Sequence, residues 1–273
     1  MASCTEAPDH PWVPNLNGLW LEITPKCNVR CVHCYADSAP WRPLTDTMQL
    51  ADWCEILREA SALGCRRVQF IGGEPTLHPE LDRLIEYSRS LGFDFVEVFT
   101  NGTMFSGRLK EVFQRQDVHL AFSVYAARDA IHDAITQRQG SFRKTIATIQ
   151  WALSHGLRAR VAIIAMDINA SDILATRRML QHMGVTAVDI DRARGIGRGG
   201  QGSNSTCLLQ ELCGSCGQGS VCVSSDGQIY PCVFSRFWPV GHVKQGLASA
   251  VGSLQLQAFR QAVSQQHTGQ KLS

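Results

Sequence analysis

Three cysteines fall within eight residues near the start of the chain: Cys27, Cys31 and Cys34, in the segment TPKCNVRCVHCYADS. Cysteine thiolates are soft ligands that suit iron-sulfur clusters and zinc. Three thiolates can hold three irons of a [4Fe-4S] cluster and leave the fourth iron open, whereas a fourth ligand would close the cluster. The spacing therefore predicts a cluster that takes part in chemistry rather than one that only carries electrons.

A structural zinc site is the alternative for this loop. Zinc takes four ligands in a closed tetrahedron, commonly from two pairs of Cys or His residues at short spacings. No fourth ligand follows nearby, and His33 adjoins Cys34 on so short a loop that its imidazole would not readily turn onto the same metal. We therefore favour iron, and expect His33 to pack over the cluster.

The composition limits the class of protein. With 273 residues, 44% of them hydrophobic, the chain can bury the core of one large α/β domain with a small appendage. The net charge is +2, and no polybasic run indicates a nucleic-acid partner. The first fifteen residues carry acids and three prolines where a signal peptide needs an apolar core, and no apolar run is long enough to span a membrane. We expect a cytoplasmic protein.

Eight of the eleven cysteines fall into two groups, at residues 27–34 and 207–232. In a reducing compartment, such grouping indicates metal or cluster binding rather than disulfides. The second group contains Cys207, Cys213, Cys216, Cys222 and Cys232. Residues 221–232 read as a small hairpin with Asp226-Gly227 in the turn. A hairpin that carries cysteines is also the build of a zinc ribbon, so taken alone this group fits zinc and iron-sulfur about equally.

Strand-like and helix-like segments alternate between the two groups. An apolar run at 19–23 precedes the first cysteine loop, and further strands are predicted at 67–71, 93–99, 118–124, 160–165 and 187–190. Helices are predicted at 44–63, 77–91, 110–115, 141–155 and 171–183. Such alternation implies parallel strands joined by right-handed crossovers. The length and the rhythm predict an α/β fold with a partly open (β/α)6 barrel rather than a closed eightfold one.

Parallel α/β folds bind ligands at the carboxyl ends of their strands. Polar and glycine-rich residues stand at these ends: Gly72, Gly73, Glu74 and Pro75 after the second strand, Asn101 after the third, and Ser123 near the end of the fourth. Glycines let the backbone approach a ligand, and Glu74 can accept hydrogen bonds from an ammonium group. The same residues also suit ordinary structure, since Pro75 fits a first helical turn and Asn-Gly fits a tight turn.

The spacing Cys-x3-Cys-x2-Cys, followed by Tyr35, resembles that of the radical S-adenosylmethionine (SAM) superfamily. The resemblance implies a (β/α)6 barrel whose Cys27, Cys31 and Cys34 hold a [4Fe-4S] cluster, with SAM chelating the open iron. It also implies that the segment 72–75 contacts the amino group of SAM, that Asn101 lies near SAM, and that Ser123 offers its hydroxyl to the ribose or carboxylate. Many relatives carry an acidic residue where this chain has Tyr125, which indicates a pocket for a different substrate.

After the sixth strand comes the segment DRARGIGRGG at 191–200, which can bind a phosphate through backbone amides or form a hinge. It is not a P-loop, because no Gly-Lys-Ser/Thr closes it. The segment resembles a hinge of relatives that carry a carboxyl-terminal cluster domain. The resemblance implies that Arg192 or Arg194 meets the SAM carboxylate.

The run Cys216-x10-Gly227-x4-Cys232 resembles the Cys-x9-15-Gly-x4-Cys element of SPASM and twitch domains. Beside a radical SAM barrel, this resemblance implies an auxiliary [4Fe-4S] cluster, for which we assign Cys213, Cys216, Cys222 and Cys232. Cys207 is then a spare, an alternative ligand or a redox-active catalytic thiol. No cysteine follows Cys232, so the domain corresponds to the shortened, twitch-like form.

The predicted organisation is an extension at 1–18, the barrel at 19–202, a small cysteine-rich hairpin and helix domain at 203–263, and a disordered polar tail at 264–273. Within the small domain a short strand is predicted at 240–243 and a helix at 248–263.

The resemblance implies that the protein reductively cleaves SAM to a 5'-deoxyadenosyl radical, which abstracts hydrogen from an unreactive carbon. We predict a peptide substrate that is oxidised, cross-linked or epimerised in natural-product maturation, with an aminoglycoside or sugar epimerase or dehydrogenase as the alternative. The expected partners are a reductant such as flavodoxin or ferredoxin and a separate leader-peptide-binding protein. An electron-transfer iron-sulfur protein and a zinc-binding module remain as alternatives of other classes, and neither would cleave SAM.

Overall fold

The computed structural model describes residues 16–200 and 208–269, with side chains through residue 266. These residues form one nine-stranded sheet in the order β6-β5-β4-β3-β2-β1-β7-β8-β9. The strands are β1 (Gly18–Glu22), β2 (Arg67–Ile71), β3 (Phe95–Thr100), β4 (His119–Ser123), β5 (Ala159–Ala165), β6 (Ala187–Arg192), β7 (Ser220–Val223), β8 (Gln228–Tyr230) and β9 (Gly241–His242). The sheet does not close on itself, because β6 and β9 are its edges.

The helices of the described residues cover the barrel strands and complete the carboxyl-terminal part. They are α1 (Leu50–Ala62), α2 (Leu81–Ser90), α3 (Gly107–Arg115), α4 (Asp129–Thr136), α5 (Ser141–Ser154), α6 (Ile173–His182), α7 (Leu247–Val251) and α8 (Leu254–Gly269). None of them is both long and apolar enough to cross a membrane.

The first six strands are all parallel, as the alternating pattern predicts. The carboxyl-terminal hairpin does not form a sheet of its own. Its first strand, β7, pairs in parallel with β1, so that Leu19 faces Val221 and Trp20 faces Cys222, and β8 and β9 continue antiparallel from there. The strand that leads into the first cysteine loop therefore lies beside the strand that carries Cys222.

Several element bounds differ from the predicted ones. The first helix begins at Leu50 rather than at residue 44, because Thr24 Oγ1 donates to Leu44 O and the Asp52 carboxylate caps the backbone N–H of Gln49. The second begins at Leu81 rather than at residue 77, because residues 75–77 form a separate 3₁₀ turn ahead of Pro79. Helix α4 was not predicted at all, since its eight residues are too few for a clear period.

The carboxyl-terminal helix prediction is wrong in two respects. Residues 248–263 hold two helices, because α7 ends at Val251 and α8 starts anew at Leu254. Helix α8 then continues to Gly269, so the tail predicted as disordered from residue 264 is helical over its first six residues. One face of α8 is buried in the main core through residues at helical spacing, namely Leu256, Phe259 and Val263. This burial explains why the helix is stable.

Candidate active site

A cavity of about 390 Å³ opens at the carboxyl ends of the barrel strands. All three cysteines of the first loop line it, together with Gly72, Gly73, Asn101, Ser123, Arg192 and Arg194. Most of the residues predicted to surround SAM are therefore brought to one place. Glu74 and Pro75 are not part of the cavity lining.

The first cysteine loop is fixed by backbone contacts with distant segments. The N–H of Arg30 donates to Thr136 O at 2.9 Å, and the N–H of Val32 donates to Ile135 O at 3.0 Å. Both acceptors are the last residues of α4, a helix that the sequence pattern did not predict. Because the free carbonyls at the end of a helix need partners, α4 offers a ready edge for the loop.

Gly72 and Gly73 are needed for contact with this loop. The N–H of Gly73 donates to Thr24 O at 2.7 Å, and a Cβ at Gly73 would lie 2.0 Å from Lys26 O. Gly72 has a φ of +143°, and its Cβ would lie 2.5 Å from Thr24 O. Any side chain at either position would push the start of the cysteine loop away from the barrel.

The Glu74 carboxylate is fully buried and holds two strand ends together. Its Oε1 accepts from Thr76 N–H at 3.1 Å, from Thr76 Oγ1 at 2.7 Å and from Thr100 Oγ1 at 2.6 Å, and its Oε2 accepts from Asn101 N–H at 2.7 Å. Burial raises its pKa against the effect of these donors. With its oxygens occupied in this way, Glu74 has a structural place beneath the cavity, and the Gly-Gly-Glu-Pro segment meets the cavity through Gly72 and Gly73.

Asn101 connects the third strand to the cysteine loop. Its Nδ2 donates to Asn28 Oδ1 at 2.8 Å and lies 3.7 Å from Cys27 Sγ. Its Oδ1 accepts from the hydroxyl and the backbone N–H of Thr103, and Thr103 Oγ1 in turn accepts from Asn28 at 2.8 Å. The predicted tight turn is thus also a set of hydrogen bonds that orients Cys27.

Tyr125 stands where many relatives carry an acid, and it contacts the second cysteine. Its hydroxyl lies 3.7 Å from Cys31 Sγ, and its ring meets the ring of His33 edge to face with centroids 4.9 Å apart. His33 lines the cavity, and its buried Nδ1 has no hydrogen-bond partner within the described residues. Burial and the nearby Arg198 lower the pKa of His33 to about 4, so the imidazole is neutral near pH 7.

Arg198 holds the far end of the loop and was not singled out from the sequence. Its guanidinium donates to Cys31 O at 2.9 Å, to Asp37 Oδ1 at 2.7 Å and to Ser38 O at 2.7 Å. The flanking glycines are the signal that could have revealed it, because a Cβ at Gly197 would lie 2.4 Å from Tyr35 O. Two glycines around an arginine indicate that backbone and guanidinium both approach another segment closely.

Arg192 and Arg194, expected at the SAM carboxylate, are paired with protein groups. Arg192 Nη1 lies 2.7 Å from Glu211 Oε2, and Arg194 Nη2 lies 2.7 Å from both carboxylate oxygens of Asp191. Arg194 also donates to Glu211 O at 2.7 Å and lies over the ring of Phe234. Both side chains line the cavity, but their guanidinium groups bind to Glu211 and so connect the end of β6 with the segment before the second cysteine group.

Three cysteines of the second group lie close together. Cys213 Sγ lies 3.8 Å from Cys216 Sγ, and Cys216 Sγ lies 3.1 Å from Cys232 Sγ, all three as free thiols. Cys222 lies on β7 opposite Tyr230. Burial raises its pKa, and Glu22 raises it further. Cys207 lies outside the described residues.

A buried ion pair lies between the two cysteine groups. Glu22, at the end of β1, is 3% exposed and pairs with Arg236, which lies shortly after Cys232. Arg236 also stacks over the rings of Tyr35 and Tyr230. Tyr35 directly follows Cys34 and meets Phe234 edge to face at 5.2 Å. This set of side chains joins the first cysteine loop to the carboxyl-terminal hairpin.

A polar layer crosses the barrel below the cavity. Arg160 makes two hydrogen bonds to the Glu97 carboxylate, at 2.8 and 2.9 Å, and Glu97 also accepts from Gln69. A second cavity of about 600 Å³ lies at the amino-terminal ends of the strands. Trp20, Gln69 and Arg160 line both cavities, so this layer is the floor of the upper one.

The thiols of the first loop suit a cationic group. Burial raises the pKa of Cys27, and it raises that of Cys31 to about 12 with a further contribution from Cys34. Thiolates at these positions therefore need positive charge beside them, which metal ions supply. Three thiols on one loop, lining a cavity next to glycine backbone, fit a cluster with one iron open to a ligand.

Comparison with family models decides the identity of this site. The Radical SAM superfamily model matches residues 21–180. The chain belongs to the radical SAM superfamily. A second model, SPASM, an iron-sulfur cluster-binding domain, matches residues 213–271. This radical SAM enzyme accordingly binds a [4Fe-4S] cluster, SAM and an auxiliary iron-sulfur cluster.

The curated relatives of this radical SAM enzyme differ in activity. The chain is 29% identical over 181 residues to the antilisterial bacteriocin subtilosin biosynthesis protein AlbA of Bacillus subtilis, covering 65% of this chain and 40% of AlbA. It is 28% identical over 137 residues to a probable GTP 3',8-cyclase of Methanopyrus kandleri, covering 50% of this chain and 43% of that protein. The matches thus span about two fifths of the length of these relatives.

Among solved structures, SuiB of Streptococcus suis bound to precursor peptide SuiA superimposes with a TM-score of 0.75. The superposition covers 91% of this chain and 67% of SuiB, at 13% sequence identity. This likeness concerns the fold, and it agrees with the partly open radical SAM barrel predicted from the sequence.

Proposed function

We propose that this radical SAM enzyme abstracts hydrogen from a peptide in the maturation of a peptide natural product. One observation carries the proposal: a single cavity is lined both by the three-cysteine loop and by Val233 and Phe234, which directly follow Cys232 of the second group. A substrate in this cavity would therefore lie between the two cysteine groups. The volume of about 390 Å³ is within the range of small-ligand sites.

The names of relatives support a peptide as the substrate. AlbA is named for the biosynthesis of a bacteriocin, and SuiB was solved with a precursor peptide. The exposed edge of the sheet at β6, whose Asp189 and Asp191 line the cavity, leaves that side of the barrel open to a chain-like substrate.

We assign Cys27, Cys31 and Cys34 to the SAM-binding cluster, and Cys213, Cys216, Cys222 and Cys232 to the auxiliary cluster. When bound, the first cluster and SAM would supply the radical chemistry that removes a hydrogen atom from carbon, and the auxiliary cluster would supply an electron acceptor. The backbone of Gly72 and Gly73, the Asn101 amide and the Ser123 hydroxyl are assigned to SAM.

The chain's own part is to orient the reactants and exclude water. Tyr35, Phe99 and Phe234 give the cavity an aromatic wall, and this wall limits water near a reactive radical. Asn101 and Tyr125 hold the cysteine loop by contacts at Cys27 and Cys31, so the geometry is set before substrate enters.

The test begins with the anaerobically reconstituted protein, SAM and dithionite. Formation of 5'-deoxyadenosine supports the radical SAM activity. If protein with full iron content forms none, the protein would instead be interpreted as an electron-transfer protein. Stoichiometric zinc in place of iron would indicate that the protein is a zinc-binding module. The neighbouring reading frames are then searched for a short precursor peptide, and a peptide found there is supplied with deuterium on its carbon atoms. Transfer of deuterium into 5'-deoxyadenosine supports the peptide substrate.

A small molecule is the second candidate, because several relatives are named GTP 3',8-cyclases. Gln69 and Arg160, which line the floor of the cavity, also suit a hydrogen-bonding substrate such as a nucleotide, an aminoglycoside or a sugar. The same assay with deuterated GTP or aminoglycoside separates the two candidates. Label that arrives from either of these, and not from the peptide, overturns the peptide proposal.

The mass of the product distinguishes oxidation or cross-linking of the substrate from epimerisation. Oxidation or cross-linking removes two hydrogens, whereas epimerisation returns one and leaves the mass unchanged in light water. We propose Cys207 as the thiol that would return hydrogen in an epimerisation. A Cys207→Ala variant that still cleaves SAM but no longer incorporates solvent deuterium supports that role, and unchanged product removes it.

A further inference from the structure

The surface beside the first cysteine loop is basic and contains an exposed tryptophan. Arg30 and Val32 flank Cys31, and Val32 is 37% exposed. Trp41 is 70% exposed and lies under the Arg30 guanidinium, 5.4 Å from the ring centroid. Arg138 completes this surface, because it donates to Asn28 O within the same loop. We call the surface of Arg30, Val32, Trp41 and Arg138 the loop face.

The charges of the loop face are not neutralised by carboxylates. Arg30 donates to the Gln137 amide oxygen at 2.9 Å, and Arg138 donates to a backbone carbonyl. Within the described residues neither arginine forms an ion pair, whereas Arg42 and Arg198 share Asp37. Asp129 pairs with Arg143, and Asp133 accepts hydrogen bonds from Gly140 and Ser141. Arg30 and Arg138 are therefore the charges of the loop face that have no paired carboxylate in the described part of the chain.

We infer that the loop face is the docking surface for an acidic, one-electron donor protein. The inference rests on the proposed function, since SAM cleavage consumes one electron per event. A reduced flavodoxin has suitable chemistry: its hydroquinone anion gives one electron to the enzyme and becomes the neutral semiquinone without proton transfer. The electron enters next to Cys31, whose two neighbours in sequence form part of the face.

The composition of the loop face fits such a partner. Arginine and tryptophan are the residue types that most often dominate binding energy at interfaces, here as a stacked pair. Transient redox complexes use small interfaces and depend on electrostatic steering, which a few unpaired charges supply. An acidic donor would meet attraction at this face and be oriented with its redox group toward the cysteine loop.

The experiment compares Arg30→Glu, Trp41→Ala and Lys244→Glu with the natural protein. Lys244 is exposed and follows β9, at the other edge of the sheet, so its reversal changes net charge equally without touching the loop face. The affinity of each variant for oxidised flavodoxin is measured by calorimetry at low ionic strength. We expect Arg30→Glu to weaken binding on the order of tenfold and Lys244→Glu to leave it unchanged. The loss should vanish in about 1 M salt, where the Debye length is ~3 Å.

Formation of 5'-deoxyadenosine is then measured with two reductants. Dithionite needs no docking surface, so all variants should cleave SAM at the natural rate. With reduced flavodoxin, Arg30→Glu and Trp41→Ala should be slower and Lys244→Glu should not. Equal flavodoxin affinity and rate in Arg30→Glu would overturn the inference, as would an equal loss of rate with dithionite, which would mean a damaged cluster. If the natural protein makes no 5'-deoxyadenosine with either reductant, the proposed function fails instead.

Discussion

Arg198 satisfies three acceptors that the cysteine loop leaves open. Two are the carbonyls of Cys31 and Ser38, and the third is the Asp37 carboxylate. Arg198 itself is 8% exposed, so water cannot easily replace its guanidinium at these groups. A buried carbonyl that loses its donor costs about 1–3 kcal/mol.

We therefore expect Arg198→Gln to lower the free energy of unfolding by about 3 kcal/mol and to reduce the iron held by the first loop. Arg42→Gln is the matched control, because Arg42 contacts the same Asp37 but is exposed. Iron content and the electron paramagnetic resonance signal of the reduced cluster with SAM measure the effect. A signal equal to that of Arg42→Gln would mean that Arg198 does not position the loop.

A methyl group at Gly73 has no room. Its Cβ would lie 2.0 Å from Lys26 O, so Gly73→Ala should displace the loop that carries Cys27 and lower the free energy of unfolding by about 3 kcal/mol or more. Gly107→Ala is the control, since a Cβ there meets nothing within 4 Å. Thermal unfolding and iron content compare the two. Normal iron incorporation in Gly73→Ala would contradict the close packing of Gly73 against Lys26 O.

At the residue scale, a site can be predicted from the sequence where residue type and spacing alone determine the chemistry. The spacing of Cys27, Cys31 and Cys34 indicates a cluster wherever the loop lies. Glu74 is different, because its role depends on Thr100 and Asn101, which come from another strand end. Arg198 lies far along the chain from the loop it holds, and no local pattern states that contact.

Helix α4 connects two elements of the site. Its last carbonyls accept from the cysteine loop, and its Asp133 caps the start of α5. Asp133 accepts from Gly140 N–H and Phe142 N–H, and from the Ser141 hydroxyl at 2.8 Å. Burial alone would raise the pKa of Asp133, but these hydrogen bonds outweigh it and hold the pKa below its usual range.

A carboxyl group whose pKa is lower in the folded than in the unfolded protein stabilises the fold at any pH above its unfolded-state pKa. This stabilisation is lost as the pH falls below that pKa. Asp133→Asn should therefore lower the free energy of unfolding by about 1–2 kcal/mol near neutral pH, in line with loss of a helix cap. The difference in free energy of unfolding between Asp133→Asn and the natural protein should stay constant down to about pH 5 and become smaller below about pH 4. Urea unfolding over this range, with iron removed from both proteins, measures it.

Asp129→Asn serves as the control for this pH series. Asp129 also lies on α4, but its pairing with Arg143 at 3.5 Å is exposed, and exposed pairs contribute about 0–1 kcal/mol. A pH profile of Asp133→Asn that runs parallel to that of the natural protein through the acid range would contradict the cap.

Most barrel strands were predictable because their apolar residues are buried, whereas β6, which is largely exposed, was predictable from the alternation of strands and helices. The prediction of β2 matches its observed bounds, and the other barrel strands differ by one or two residues at their ends. The pairing of β7 with β1 was not predictable in this way. A hairpin pattern shows that two strands pair with each other, but it does not identify the outer neighbour of either one.

The two cysteine groups belong to one sheet, and Glu22 and Arg236 reinforce that connection. Glu22 is buried at the end of β1, and its partner comes from the segment after Cys232. Removing one member of a buried ion pair leaves an uncompensated charge, which costs about 3–5 kcal/mol, whereas replacing both by apolar residues is often neutral.

Arg236→Met should therefore lower the free energy of unfolding by about 3 kcal/mol, and the double variant Glu22→Leu/Arg236→Met should recover most of this loss. Thermal unfolding of the reconstituted proteins under anaerobic conditions provides the comparison. If the double variant is as unstable as Arg236→Met, the contacts of Arg236 with Tyr35 and Tyr230, rather than its charge, hold the two parts together.

The parallel pairing of β1 with β7 limits how this protein can be divided. A fragment that ends near residue 200 would leave β1 with unpaired backbone groups along one side, in the strand that feeds the first cysteine loop. Bare strand edges recruit other chains. Exchange of the SPASM segment between relatives would therefore have to preserve the register of Leu19 with Val221, so the two parts have to be engineered as a single unit.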